Sequence, residues 1–293
     1  MRRSGVVISV TDVLVQRVEE IVRAAELEVI RPRFSALAEL EVQSKSPGEI
    51  VTVADVEAEK VITDGLRRLL PDTPVVGEEA CASDPSLLEA LTSDRAWLVD
   101  PIDGTGNFVA GGDDWAVMVA LVESGQTVAS WIWAPMHDAM YMAQLGEGAT
   151  CNGRVLRTGS AASDPLQMIG AVDPLKMSGA VLTRFLDSQT AERVESNRHR
   201  FANITAGRLC AGVDYPNVIE GGQQFIMYWR TLPWDHAPGA LLIQESGGVA
   251  ARLDGTTYQP SQTGTGLLVA TDPQTWKTVR KTLLSRSPDE GSH

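Results

Sequence analysis

The stretch Trp97-Leu98-Val99-Asp100-Pro101-Ile102-Asp103-Gly104-Thr105-Gly106-Asn107-Phe108 passes from an apolar run through two acids and a proline into a glycine-rich turn. The apolar run reads as a buried strand, and the turn residues after it bring that strand to an end. Pro101 disfavours the helical region for the residue before it, so Asp100 and Asp103 stand three apart at a strand end, where both carboxylates can face one pocket. Hard cations such as Mg²⁺ take oxygen ligands and usually keep several waters and a substrate phosphate. Gly104, Thr105 and Gly106 then offer backbone N–H groups with little side-chain cover. A helix starting there would favour a phosphate dianion at its N-terminus. The same residues also read as a solvated turn, because Asp-Pro and Asp-Gly are ordinary turn dipeptides.

Upstream, apolar residues recur at helical spacing from about Asp12 to Leu40, with Pro32 breaking or bending the helix. Lys45-Ser46-Pro47-Gly48-Glu49 reads as a turn. A second amphipathic helix runs from Thr52-Val53-Ala54-Asp55 to Pro71, and Thr52 with Asp55 resembles a capping box. Pro74-Val75-Val76-Gly77-Glu78-Glu79 reads as a short buried strand ending on two carboxylates. Such a pair is either the exit into solvent or a site at a strand end, where open α/β sheets place ligands.

Downstream, strands are expected at Trp115–Glu123, Thr127–Ala134 and Ala139–Leu145, with apolar runs continuous enough to be covered on both faces. His137-Asp138 falls in a turn, and Met136, Met140 and Met142 read as core filler. After Thr158 the pattern predicts a strand at Met168–Val172, a helix at about Lys176–Leu186 and a strand at Asn217–Glu220. Arg193, Arg198, His199 and Arg200 form a basic patch, readable as a solvated charge run or as a contact for an anion or a partner subunit. Pro233-Trp234-Asp235-His236 begins a helix that stops at Gly247-Gly248, with Asp235 readable as its N-cap. A last strand at Gly266–Thr271, a helix at Pro273–Leu284 and a tail complete the chain. The division expected is an N-terminal α+β lobe over 1–157, a C-terminal α/β lobe over 158–285 and a terminal tail over 286–293.

Composition narrows the function classes. A net charge of −13 over 293 residues disfavours a nucleic-acid polymer as partner, since the phosphate backbone would be repelled. Three widely spaced cysteines give neither a disulfide framework nor a zinc spacing, which fits a reducing compartment. No apolar run reaches membrane-spanning length. The expectation is a cytoplasmic protein without a membrane partner.

Lys45 with Val51-Thr52-Val53-Ala54-Asp55, then Gly77-Glu78-Glu79, Asp100-Pro101-Ile102-Asp103-Gly104-Thr105, Trp234-Asp235 and Gly247-Gly248 occur in the order seen in inositol monophosphatase-like proteins. The resemblance covers about Asp12 to Thr271. It implies an α/β (α+β) fold, an alternating αβαβα layered sandwich of the inositol monophosphatase/fructose-1,6-bisphosphatase type, commonly dimeric. It also implies a Mg²⁺-dependent, lithium-sensitive phosphomonoesterase holding two or three ions. By that resemblance the metal ligands are Glu78, Asp100, the Ile102 carbonyl, Asp103 and Asp235, with Asp55 on a further ion through water. Glu78 and Thr105 would orient the attacking water, with Asp55 also counted among the catalytic residues. Asp103, Gly104, Thr105, Gly106, Ala211, Tyr228, Arg230 and Lys45 would bind phosphate or substrate.

Two departures stand out. Gly106 occupies a position where the family often has a second threonine. Tyr228, seven residues before Asp235, stands where inositol phosphatases carry a sugar-binding glutamate. A Tyr and an Arg suit a second anion or a ring better than vicinal hydroxyls. The expected substrate is therefore a small phosphorylated metabolite, such as an inositol monophosphate or a related polyol or sugar phosphate. Nucleoside 3′,5′-bisphosphate, fructose-1,6-bisphosphate and histidinol phosphate are alternatives, and a non-catalytic metal-binding module is the competing class.

Overall fold

The computed structural model describes residues 10–36, 41–46, 49–160, 164–173, 203–262 and 264–284. Helix α1 (Asp12–Ala25) starts where the Thr11 hydroxyl accepts from the Leu14 N–H, and it buries Val15, Val18, Val22 and Ala25 on one face. A two-stranded ribbon, β1 (Val42–Ser46) and β2 (Glu49–Thr52), leads into α2 (Val53–Leu69). The first large sheet takes its seven strands in chain order: β3 (Val75–Gly77), β4 (Arg95–Asp103), β5 (Ala116–Glu123), β6 (Gln126–Ala134), β7 (Ala139–Gln144), β8 (Gly148–Cys151) and β9 (Arg154–Val155). Within this sheet β3 and β4 pair in parallel and the later strands antiparallel, and the short helices α3 (Glu78–Ser83) and α4 (Thr105–Val109) follow those two strands. The second sheet contains β10 (Ile169–Asp173), β11 (Asn203–Ala206), β12 (Phe225–Tyr228), β13 (Val249–Arg252) and β14 (Leu267–Ala270), in the spatial order β11-β10-β12-β14-β13.

Apolar packing sets the layers. Val18, Val22, Ile62 and Leu66 of α1 and α2 meet Trp97, Val119 and Trp131 on one face of the first sheet. Trp131 Nε1 also donates to the Val15 carbonyl at 3.1 Å, which pins α1 to that sheet. Between the sheets lie α5 (Ala211–Ile219) and α6 (Pro233–Glu245), where Tyr215, Leu241 and Leu242 join Ile132, Ile226 and Val269. The final helix α7 (Pro273–Leu284) covers the outer face of the second sheet through Trp276 and Val279. Helix, sheet, helix, sheet, helix is the layered α/β sandwich that the resemblance implied.

Several expectations change in detail. The first helix does not run to Leu40: a π turn at Glu26–Ile30 and a 3₁₀ turn at Arg31–Arg33 end it, with Pro32 in the last and Ser35 at φ +58°. Glu78 and Glu79 open α3 instead of closing a strand. The segment Asn217–Glu220 is the end of α5, not a strand. The β-branched Val218 and Ile219 suggest a strand locally, whereas the actual constraint is burial between two sheets, where both are covered. Met140 is buried, but Met136 is 42% exposed and fills no core. The helix expected at Lys176–Leu186, the basic patch Arg193–Arg200 and the tail 286–293 lie outside the described residues.

Candidate active site

The deciding strand ends in a bulge. Asp100 pairs with Met118 and Asp103 with Ala116, so β4 carries one residue more than its partner between these points. Pro101, which has no N–H to give, falls within that interruption. The extra residue turns the strand and lets both acids face inward. Asp100 is 2% exposed and Asp103 9%. Asp100 Oδ1 accepts from the Ile102 N–H at 3.1 Å, an Asx-type contact that stiffens the turn.

Asp103 is held from the far side by the start of α5. Its Oδ2 accepts from the Gly212 N–H at 2.6 Å and from Cys210 Sγ at 3.1 Å. A Cβ on Gly212 would stand 2.5 Å from the Ala116 Cβ, so only glycine brings this amide so close. Gly104 takes φ +82°, and a Cβ there would approach the Asp114 carbonyl at 2.8 Å. Gly104 thus caps α4, whose first amides belong to Thr105 and Gly106 and lack partners within the helix. Gly106 is exposed with open space around it. Asn107 Nδ2 donates at 2.8 Å to both the Asp114 and Arg208 carbonyls, tying α4 to the loops on either side.

The capping reading of Asp55 holds in the structure. It forms the capping box with Thr52, accepting at 2.8 Å from the Thr52 N–H and at 2.6 Å from its hydroxyl. Its other oxygen lies 3.2 Å from Thr105 Oγ, which also lies 2.9 Å from the Ile102 carbonyl. A capping residue therefore also contacts Thr105 at the start of α4. Asp235 sits in the first turn of α6, whose N-cap is Leu232, and makes no capping bond there.

Charge links these segments. Burial pushes the Asp100 carboxyl well above the usual carboxylate range, and Glu78, Asp103, Asp235 and Asp55 push it further. Burial raises Asp103 to about 6 against the opposing Gly212 and Cys210 contacts, with Glu78 and Asp173 adding to the rise. Asp235 is also raised, by burial first, then by Asp103 and Glu78, while Arg230 opposes. Acids from α2, α3, β4 and α6 thus share one electrostatic neighbourhood. The donors are all oxygen and suit a hard divalent cation in kind. Among the described residues, no three His, Cys, Asp or Glu side chains already stand within metal-sharing distance.

The substrate side differs from expectation. Tyr228 is 2% exposed, stacked on Tyr215 with centroids 5.4 Å apart and against His236 at 4.5 Å. Its ring is packed into the core, and its hydroxyl has no hydrogen-bond partner among the described residues. His236 is neutral, lowered to about 3 by burial. Its Nε2 faces the Arg230 carbonyl at 3.1 Å and must donate, leaving Nδ1 to accept from the Tyr215 hydroxyl at 3.3 Å. Ala211 is buried in the first turn of α5, and Arg230 is half-buried. Lys45 falls on β1, with its side chain outside the described residues. Three acids escaped the sequence reading: Glu59, Asp173 and Asp214. Asp173 ends β10 in register with Tyr228, and Asp214 is raised to about 7 by burial, against the Arg208 N–H. Spacing alone could have found Glu59, four residues after Asp55 on one helix face.

Known proteins resemble this chain in sequence and in fold. The inositol monophosphatase family profile matches residues 12–288. An inositol-1-monophosphatase of Mesorhizobium japonicum is 32% identical over 226 residues, covering 76% of this chain and 79% of that protein. The Thermotoga maritima fructose-1,6-bisphosphatase/inositol-1-monophosphatase is 30% identical, covering 71% and 73%. The Escherichia coli Nus factor SuhB is 29% identical over 92% of this chain and 94% of its own length. Among solved structures, a Thermotoga maritima IMPase superposes with a TM-score of 0.72 at 25% identity, over 93% of this chain and 98% of that one. Sequence match and layered fold agree, and the chain belongs to the inositol monophosphatase family.

Proposed function

We propose that this protein is a Mg²⁺-dependent phosphomonoesterase acting on a small phosphorylated metabolite. The observation that carries the reading is the meeting of Glu78, Asp100, Asp103, Asp235 and Asp55 in one electrostatic neighbourhood, from segments up to 180 residues apart. These carboxylates and the Ile102 carbonyl would hold the ions. Bound divalent cations would supply a hydroxide-like water near neutral pH and offset phosphoryl charge. The chain's own groups do the rest. Gly104 opens the turn so that the Thr105 and Gly106 amides can grip phosphate oxygens. Thr105 Oγ, between the Asp55 carboxylate and the Ile102 carbonyl, has one hydrogen to give. Its lone pairs could then accept a hydrogen bond from the attacking water and orient it, a task that the family resemblance also gives to Glu78. Gly212 and Cys210 keep Asp103 from turning away.

Inositol monophosphates and related polyol or sugar phosphates remain the first substrates to assay, alongside fructose-1,6-bisphosphate, nucleoside bisphosphates and histidinol phosphate. The relatives named for inositol-1-monophosphatase and fructose-1,6-bisphosphatase activities support this choice. We also propose a homodimer, on family resemblance. The Nus factor relative favours a second reading, a binding role without turnover, but the retained acids weigh against it, since idle buried carboxylates repel one another. Phosphate release from this panel, with Mg²⁺ and with a chelator, separates the two: metal-dependent release supports the hydrolase, and none on any substrate supports the binding role.

A further inference from the structure

Glu59 is a buried carboxylate, 7% exposed, on the face of α2 that also carries Asp55 one turn earlier. It reaches across to the start of α3. One oxygen, Oε2, accepts from the Glu79 N–H at 2.7 Å, and Oε1 accepts from the Ala80 N–H at 2.9 Å. These are the second and third residues of α3, whose amides have no partner within the helix. The helix has no cap of its own, because its N-cap is Gly77. Gly77 is there for space and not for backbone freedom, since its φ is −96°. A Cβ on Gly77 would fall 2.3 Å from Glu59 Cδ and 2.5 Å from each oxygen.

We infer that Glu59 is a positioning residue for Glu78, a cap supplied from another helix that fixes the backbone on which this proposed metal ligand and water-orienting acid sits. The inference rests on the hydrolase reading above. Glu78 is the first residue of α3, so its backbone angles set where its carboxylate points. Two charge-assisted bonds to the next two amides hold those angles, and such bonds are the stronger kind. The acid also neutralises the positive end of α3, so this helix start offers no anion site. Phosphate is left to the Gly104–Gly106 turn. Both α2 acids reach a neighbouring site element, Asp55 at the Thr105 side-chain hydroxyl and Glu59 at the backbone amides that follow Glu78.

The test uses the full chain and two readouts besides turnover: Mg²⁺ uptake by calorimetry, and hydrogen exchange of the Glu79 and Ala80 amides. Groups that orient metal ligands from behind change metal affinity by about 10- to 100-fold when lost. Glu59→Gln keeps one acceptor and should weaken Mg²⁺ uptake about tenfold; Glu59→Ala should weaken it further. Both should speed exchange at Glu79 and Ala80, and the kcat at saturating Mg²⁺ should fall less than the affinity. Gly77→Ala, which crowds Glu59 aside, should mimic Glu59→Ala, and adding it to Glu59→Ala should cost little more. Folded Glu59→Gln and Glu59→Ala proteins that take up Mg²⁺ like the unmodified chain would overturn the positioning role alone. No Mg²⁺ uptake by the unmodified chain would overturn the hydrolase reading and this one with it. Fast exchange at Glu79 and Ala80 in the unmodified protein would overturn the cap itself, even if no variant folds.

Discussion

At the scale of single residues, Asp103 is where the proposed chemistry is most exposed to test. Its Oδ2 is already occupied by Gly212 and Cys210, and an asparagine carbonyl can take over the Gly212 contact. Asp103→Asn should therefore fold normally while phosphate release falls at least about a hundredfold, the scale on which site electrostatics act. Near-normal release by a folded Asp103→Asn protein would remove Asp103 from the mechanism. Asp214 gives a pH prediction. Its carboxyl is raised by burial from 3.8 to about 7, so between these values the folded chain holds a proton that the unfolded chain has released. Its contribution to stability is complete below about pH 4 and is lost as pH rises towards 7. Urea unfolding in chelator should show stability falling over that window, and falling less in Asp214→Asn; equal slopes would contradict it. Asp100 and Asp103 drew attention because a strand end and turn residues surround them, whereas Asp55 and Asp235 read locally as helix caps and were singled out by the family resemblance. Asp173 and Asp214 were not, because nothing local marks a carboxylate whose importance comes from folding against another segment.

At the scale of elements, two neighbouring glycines separate backbone need from open space. Gly104 combines a left-handed φ with a carbonyl at Cβ distance, whereas Gly106 meets nothing within 4 Å. Gly104→Ala should cost about 1–3 kcal/mol in chemical unfolding and weaken phosphate binding. Gly106→Thr, which restores the hydroxyl common in the family, should leave stability within about 0.5 kcal/mol. Equal losses for both would mean the turn is not shaped as described. Continuous apolar runs made β3 to β7 legible, and the Ser124-Gly125 and Asn152-Gly153 turns, all four residues at positive φ, close hairpins as their sequence indicates. Element ends were harder to read. At the helix start formed by Glu78 and Glu79, the cap comes from Glu59, nineteen residues before Glu78. The α5 helix carries Pro216 and β-branched residues that favour other structure locally, and tertiary burial overrides them.

At the scale of the molecule, α6 is the common member: it fills the space between the sheets and delivers Asp235 to the acids of β4. Gly239 lets it approach α5, since a Cβ there would stand 2.2 Å from the Tyr215 ring. Gly239→Ala should lower the thermal midpoint by several degrees and disturb the Tyr215–His236 contact, and an unchanged midpoint would contradict this close packing. Periodicity could identify the helices and strands of the layers, but not which faces meet, because that depends on contacts distant in sequence. The order of the motifs supplied what periodicity lacked. The most direct test of the central claim is Mg²⁺ titration of phosphate release from inositol monophosphate and the related phosphates, using the unmodified chain. The acid site as described predicts no release in chelator and saturable release on adding Mg²⁺; release that persists undiminished in chelator would contradict it.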